Sequence, residues 1–547
     1  MSMMDTFAAA GAYDIADRRW SDLKSERSWH EQMWEDIARL MRPQRGGFSR
    51  TDPGGRTHEK PLSSAPIMAQ SNFAAGLYGT LTNPANRWFG FATNDPDLNK
   101  WHEGKLWLDR VTSRVLASFA PSVSPFYSAS TQIFADIASF GNGAQYDELV
   151  QDERRILDVT LNLGEVCYDI DGHGEISEVV RRFYLKAPAA LRMFGQKSLP
   201  PKIMDMALKG DQTKLKFFQH VMRNDGFQPG RLGPKGKRWL SRYSCEEGRA
   251  EVRVGGYDEM PFFAPRWEVE TGQVYGVGPG FVALASARAH LRMDEATLRA
   301  AQRASDPTLL APDRSWELSG QIRPGKVVYG AIDVAGRQML KPLDIDTNLG
   351  LTLEEKQAKL EEIKDAFHYS LMNLAGRTGM TATEVATITE ERQRLWAPHQ
   401  GRIQQEYLAR KIERRFSILW RAGQIPAPPK GMEGVALEVK YESAAAAAQK
   451  ATEGTATMRV LQDVAPLIPV MPRIVERFDP DGLIEVLMDA RGAPARIARS
   501  REEADAIAAE RQQTQQTMMA LQAAQAGAGA MKDGAQAMAA MQPQGGV

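Results

Sequence analysis

Cysteine is almost missing from this chain: Cys167 and Cys245 are the two thiols in 547 residues. Two thiols build neither a disulfide framework nor a cysteine zinc cluster, and they suit a reducing compartment. An excess of one charge is missing too, with 68 Lys plus Arg against 68 Asp plus Glu. That balance excludes a protein that condenses or coats nucleic acid and confines any DNA contact to a local patch. No stretch approaches 18 uninterrupted apolar residues, and the opening MSMMDTF has neither a basic nor an apolar region. The expectation is a chain that neither spans a membrane nor carries a signal peptide.

The motifs of common catalytic sites are absent as well. No G-x-x-x-x-G-K-[ST] occurs, and Gly104-Lys105, Gly236-Lys237 and Gly325-Lys326 lack both the spacing and the following hydroxyl, so ATP hydrolysis is not expected. Gly276, Gly278 and Gly280 have a superficial likeness to a dinucleotide loop, but Phe281 follows and no clean strand precedes, which favours a plain turn entering a helix. There is no G-x-S-x-G elbow and no H-E-x-x-H, and none of the eight histidines has a partner at i+3 to i+5. Asp169 with Asp171 and Asp479 with Asp481 are the acidic pairs that oxygen-coordinated cations would need. Asp171 belongs to a hairpin turn and Asp481 precedes an apolar helical run, so turn and cap roles explain them better. No catalytic residue, metal ligand or cofactor is therefore expected, and the chain is read as a non-enzyme.

What is present is a globular composition, 43% hydrophobic and 25% charged, in a chain long enough for several domains. Large residues recur at helical spacing from Asp14 to Met41, and Pro43 ends the run. A loop over 43–63 leads to a helix from Ser64 to about Thr82, and further helices are expected over 98–119 and 127–140. The segment 156–186 alternates around Asp171-Gly172 and reads as a β-hairpin. More strand-like runs lie at 215–223, 239–245, 249–257 and 262–269, with a helix at 200–209. From 281 a helix runs to Ser305, followed by short strand-like pieces over 307–345. A second helix opens at Thr352, with Glu355 at capping-box spacing and an apolar stripe through Leu360, Ile363, Phe367, Leu371 and Leu374. A third opens at Thr381, with Glu384 at the same spacing, and reaches about Ala422 with a kink at Pro398. At 1.5 Å per residue it would span about 60 Å, the length of a strut. Beyond Pro426 come alanine-rich helices over 443–462, 481–490 and 500–525, then a low-complexity tail.

Two features could meet DNA or another subunit. On the helix 281–305, Arg288, Arg292, Arg299 and Arg303 share one face, and Leu284, Leu291 and Leu298 repeat every seven residues beside them, a seam for a partner helix. Glu295 lies within the arginine stripe, so salt bridges compete with phosphate contact. The connector at 375–380 joins two helices with Gly376, Arg377, Thr378, Gly379 and Met380, and it fits either a simple link or a loop offering Arg377 to phosphate.

In order along the chain stand WFGF at 88–91, FGNG at 140–143, RFYL at 182–185, YGVGPG at 275–280, the PG at 324–325, TATEV at 381–385 and RAGQIP at 421–426. Together, across about residues 15–500, they resemble the portal, or head-to-tail connector, proteins of short-tailed bacteriophages. The resemblance implies an α+β, mainly helical portal fold with a mixed α/β wing, a helical stem, a β-containing clip and a helical crown or barrel. It would place the wing at 1–280, stem helices at 281–305 and 347–375, the clip at 306–346 and a tunnel loop at 376–382. A long kinked wing and crown helix would occupy 383–424, the crown and barrel 425–525, and the tail 526–547. It implies a homo-oligomeric ring, twelve-fold in the family, at the portal vertex of the virion capsid, assembled in the host cytoplasm. Double-stranded DNA would pass through the channel, with Arg377, Thr378 and Met380 beside it. Implied partners are terminase, which hydrolyses the packaging ATP, major capsid and scaffolding proteins, tail adaptors and internal ejection proteins. Zero net charge suits a conduit, because each phosphate gripped by a cation steepens the salt dependence of binding and holds the polymer back. The competing readings are a phage nuclease or cell-wall hydrolase, which needs a convergent site not found in the sequence, and a monomeric DNA-binding adaptor, which needs a strongly basic domain.

Overall fold

Tyr13, Ala16, Trp20, Leu23, Trp34, Ile37 and Met41 follow one another at helical spacing, and they are the buried face of the first helix, α1 (Ala12–Met41). The computed structural model describes residues 11–48, 62–150, 155–305, 309–310, 332–339, 341–342, 349–369, 398–441, 444–467, 478–491, 493, 497–499 and 502–519. After α1 come α2 (Ala65–Leu81), β1 (Phe89–Thr93), α3 (Pro96–Lys100), α4 (His102–Ser118) and α5 (Phe126–Phe140). The middle holds β2 (Gln145–Val150), β3 (Arg155–Thr160), β4 (Val166–Ile170), β5 (Ile176–Lys186), α6 (Ala187–Phe194), α7 (Pro201–Leu208), β6 (Lys214–Arg223), β7 (Trp239–Cys245), β8 (Ala250–Tyr257) and β9 (Phe262–Phe263). Then follow α8 (Pro279–Ser305), β10 (Leu309–Leu310), β11 (Lys341–Pro342), α9 (Leu349–Ala366), α10 (398–421), β12 (Leu437–Tyr441), α11 (Ala444–Val464), α12 (Pro480–Ala490) and α13 (502–519). The fold is α+β and mainly helical.

The chain divides into two compact units. The first comprises Met1–Trp88 and Val115–Ala422, the second Phe89–Arg114 and Gly423–Val547. In the first unit an antiparallel sheet runs in the order β4-β5-β6-β7-β8. Successive side chains in a strand face opposite sides, so Phe217 and Phe218 enter different cores. Phe218 joins Cys167 and Val180 beneath Tyr13, Trp20 and Leu23 of α1. Phe217 joins Phe183, Tyr243 and Cys245 beneath Ala187, Ala190 and Phe194 of α6 and Ile203 of α7. The two cysteines are thus free, buried thiols on opposite faces of one sheet, and burial pushes the Cys167 thiol up to about 11.

The hairpin expected around Asp171-Gly172 is β4 and β5, but the run from 156 does not belong to it. Arg155–Thr160 pairs backwards with Gln145–Val150 in a separate three-stranded sheet, β3-β2-β9. Alternation alone does not say which neighbour a strand chooses. In the second unit β1 pairs with β12, from Phe89↔Tyr441 to Thr93↔Leu437. The single helix expected over 98–119 is two helices, separated at Trp101 in extended backbone (φ −62°, ψ 124°). The first is capped by Asp95, whose carboxylate accepts the Asp97 amide at 2.9 Å. Likewise α12 begins at Pro480, so Asp479, not Asp481, stands at its cap position.

Candidate functional site

The helix expected over 281–305 is α8, and its partner is α9, running antiparallel to it. Ser286 donates to Glu362 at 2.5 Å near one end, and Lys356 meets Asp294 at 2.5 Å towards the other. Asp294 also faces His290 at 3.3 Å, which is buried and whose imidazole burial keeps below its usual pKa. Ala283, Leu284 and Ala287 are buried on α8, and Ile363 and Phe367 are buried at the same end of the pair. The seven-residue seam fades outward: Leu284 is buried, whereas Leu298 is 47% exposed.

The second helix differs from expectation at both ends. It begins at Leu349, which places Thr352 inside the helix and removes its capping role. It ends at Ala366, where Phe367 and His368 form a turn and His368 takes φ 48°, a conformation costly for a non-glycine residue. The apolar stripe therefore does not continue along one straight helix from Leu360 to Leu374. Leu371, Leu374, Arg377, Thr378 and Met380 lie outside the described residues, as do Thr381 and Glu384 and most of 306–346.

The arginine stripe has unequal fates. Arg288 reaches across to Asp36 on α1. Arg299 pairs weakly with Glu295, one turn away at 3.8 Å, and Arg292 and Arg303 point to solvent. Exposed pairs of this kind contribute little to stability.

Where α8 begins, two of the sequence motifs meet. The Asn142 side chain of FGNG donates to the Gly276 carbonyl at 2.7 Å and accepts the Gly276 amide at 2.8 Å. A Cβ on Gly278 would fall 2.6 Å from the Gly141 backbone, and one on Gly280 would fall 2.1 Å from the Ser139 carbonyl oxygen. The glycines of YGVGPG therefore serve close backbone approach, and the dinucleotide-loop likeness ends there. Tyr275 of the same motif packs edge-on against Trp34, with ring centroids 5.6 Å apart. The start of α8 is thereby fixed to α1 and α5.

Sequence reasoning missed a cluster on α10. The described part of that helix is no free strut: Ile403, Tyr407, Leu408 and Ile412 are fully buried. It winds into a π-helical turn over Gln404–Ala409, a distortion often found at functional sites. Glu406 of that turn holds Arg266 in a fork, accepting from Nη2 at 2.7 Å and Nε at 3.2 Å. One turn on, Lys411, Arg414 and Arg415 enter the interior. Lys411 lies 2.5 Å from Asp158 and 3.2 Å from Asp147, and Arg415 donates to both Asp158 oxygens at 2.8 and 3.0 Å. Arg414 pairs with Asp147 and reaches Glu259 at 3.5 Å, while Ser124 donates to Asp158. Burial alone would raise the Asp158 pKa, but Lys411 and Arg415 override it and hold the carboxyl down at about 2. The network ties α10 to both strands of the β2–β3 hairpin. Its signal in the sequence was the cluster Arg410, Lys411, Arg414, Arg415 among Ile412, Phe416 and Leu419, cations on the apolar face of a helix.

Among the described residues no group of three or more His, Cys, Asp and Glu side chains is placed to hold a metal ion. Asp169 pairs with Arg19, and Asp171 accepts the His173 and Glu175 amides at 2.9 and 3.0 Å as a turn residue does. No described helix is long and apolar enough to cross a membrane. What the first unit offers is a buttressed pair of antiparallel helices on an α/β body.

The family model for bacteriophage head to tail connecting protein matches residues 14–498, and the chain belongs to that family. Its role is that of a phage portal, joining head to tail. The portal protein of Salmonella phage epsilon15 is 26% identical over 523 residues, 93% of each chain. The probable portal protein of Bordetella phage BPP-1 is 27% identical over 486 residues, 87% of this chain and 86% of its own. A chain from the neck of an empty GTA particle, computed with C6 symmetry, covers 77% of this chain and 89% of its own at 12% identity. Its TM-score of 0.32 is too low to carry structural detail across.

Proposed function

We propose that this portal closes as a homo-oligomeric ring, a dodecamer in the virion, through which double-stranded DNA enters the capsid and later leaves. In this reading α8 and α9 are the stem, the chain between them is the clip, and 376–382 is a tunnel loop that offers Arg377, Thr378 and Met380 to the DNA. Residues 1–280 form the wing, and 425–525 form the crown and barrel. Arg292 and Arg303 face a neighbouring stem in the ring, where repetition turns one cation per chain into a belt. The ring docks terminase during packaging and tail adaptors afterwards, and it meets capsid, scaffolding and internal ejection proteins at the vertex. It performs no chemistry itself; the motor that hydrolyses ATP is a separate protein.

The observation that carries this reading is the likeness to the portal protein of phage epsilon15 over 93% of the chain. The antiparallel pair α8 and α9, joined by a long connection, supports it. Electron microscopy of the purified protein tests it: closed rings with a central hole are expected, and the fold number is counted in assembled virions. A chain that stays monomeric at every concentration, or that cleaves DNA or cell wall, would end the reading.

A further inference from the structure

The β6–β7 connection, residues 224–238, is long for a hairpin but tightly built. Asn224 is buried and donates to the carbonyls of Pro234 and Lys237 at 3.0 and 2.7 Å, and the Gln228 amide donates to Lys235 at 2.8 Å. Gly230 and Gly233 take φ 77° and 80°, and a Cβ on Gly236 would fall 1.6 Å from the Arg231 carbonyl oxygen. All this order presents Leu232 to solvent at 96% exposure. Around it Arg223, Arg231, Lys235 and Arg238 are exposed, against the single acid Asp225. A loop that spends its hydrogen bonds on its own shape and buries nothing with its one large apolar tip is built for a partner.

The same unit holds a cleft of the opposite character. It is open, about 1080 Å³ in volume, and lies between the β4–β5 turn, the segment 259–274 and α10. Seven carboxylates line it against four arginines, Glu175, Glu259, Glu270 and Glu413 among them, and Met260, Phe262 and Val274 supply apolar wall. The arginines are largely engaged: Arg266 with Glu406, Arg410 with Glu175, Arg414 with Asp147. Burial raises the Glu413 carboxyl, against the opposing pull of Arg410.

A rotational ring needs two different, complementary patches on every chain. We propose that the loop 224–238 of one copy docks into the acidic cleft of the next, with Leu232 against the apolar wall and Arg231 and Lys235 among the carboxylates. The inference rests on the ring reading above. The test uses the full chain, with assembly followed by sedimentation and electron microscopy and folding by circular dichroism. The loop reversal Arg231→Glu with Lys235→Glu, and the cleft reversal Glu270→Arg with Glu413→Arg, should each raise the concentration needed for half-assembly about tenfold or more, and combining them should restore it. Leu232→Ser, which alters only an exposed tip, should weaken assembly in the same direction without changing the fold. If all variants form rings as readily as the unaltered chain, the docking is wrong and the ring stands. If the loop reversal leaves assembly intact but abolishes retention of duplex DNA, the loop serves nucleic acid and the proposal is overturned. If the unaltered chain forms no ring, the broader reading fails first.

Discussion

Two groups of cations in this protein share chemistry and differ in everything else. Lys411, Arg414 and Arg415 are sealed in the body of the first unit, each tied to Asp147 or Asp158. Arg288, Arg292, Arg299 and Arg303 ride on the outside of α8, where one reaches Asp36 and another has a loose partner on its own helix. Placement decides the energetics. A charge taken from water must be compensated where it lies, so each buried partner constrains the others, whereas an exposed arginine is solvated whether paired or not. The buried set fixes where α10 sits on the β2–β3 hairpin. The exposed set leaves the outer face of α8 free to be read by something outside the chain.

The sharpest way to break this contrast is to remove one member of the buried set. Asp158→Asn should cost about 3–5 kcal/mol, because Lys411 and Arg415 lose the carboxylate they share, and Lys411→Met should cost less, because each aspartate keeps an arginine; both losses are read from the denaturation midpoint by tryptophan fluorescence. The two substitutions combined should cost less than their sum. Acid probes the same network. Asp158 is held at about 2 against an ordinary 3.8, so its ion pairs contribute fully above pH 4 and are lost as the pH falls towards 2. An acid-unfolding curve of the Asp158→Asn variant should lack that part of the decline.

An uncharged anchor gives a middle value. Gly280→Ala drives a methyl group against the Ser139 carbonyl oxygen and should lower stability by about 1–3 kcal/mol through displacement of α8 from α5, measured by the same denaturation midpoint. The smallest effect belongs to the outer stripe: Arg299→Ala should change the stability of the isolated chain by less than about 0.5 kcal/mol. If Arg299→Ala matched Asp158→Asn, the distinction between the two groups would collapse.

Much of the architecture was legible in the sequence. The stripe from Trp20 to Met41 set α1, Pro43 stopped it, Asp171-Gly172 turned the β4–β5 hairpin, and the long run after Pro279 became α8. These are local facts, since helical periodicity, a proline and a turn dipeptide act on the residues beside them. The order of motifs pointed in the same way to the family that the match over 14–498 shows.

Other features needed the folded chain because their partners are far apart along it. Nothing near Arg155–Thr160 announces that it pairs with Gln145–Val150 and not with the hairpin that follows. That FGNG and YGVGPG interlock, 134 residues apart from Asn142 to Gly276, is a matter of backbone approach that only glycine permits. The aspartates that draw the charges of α10 inward lie more than 250 residues earlier. The sequence by itself determined where the chain curls, extends and turns, since those preferences are settled among neighbours. Tertiary structure alone decided which charges are buried and which glycines touch, since burial is a property of what the rest of the chain brings alongside.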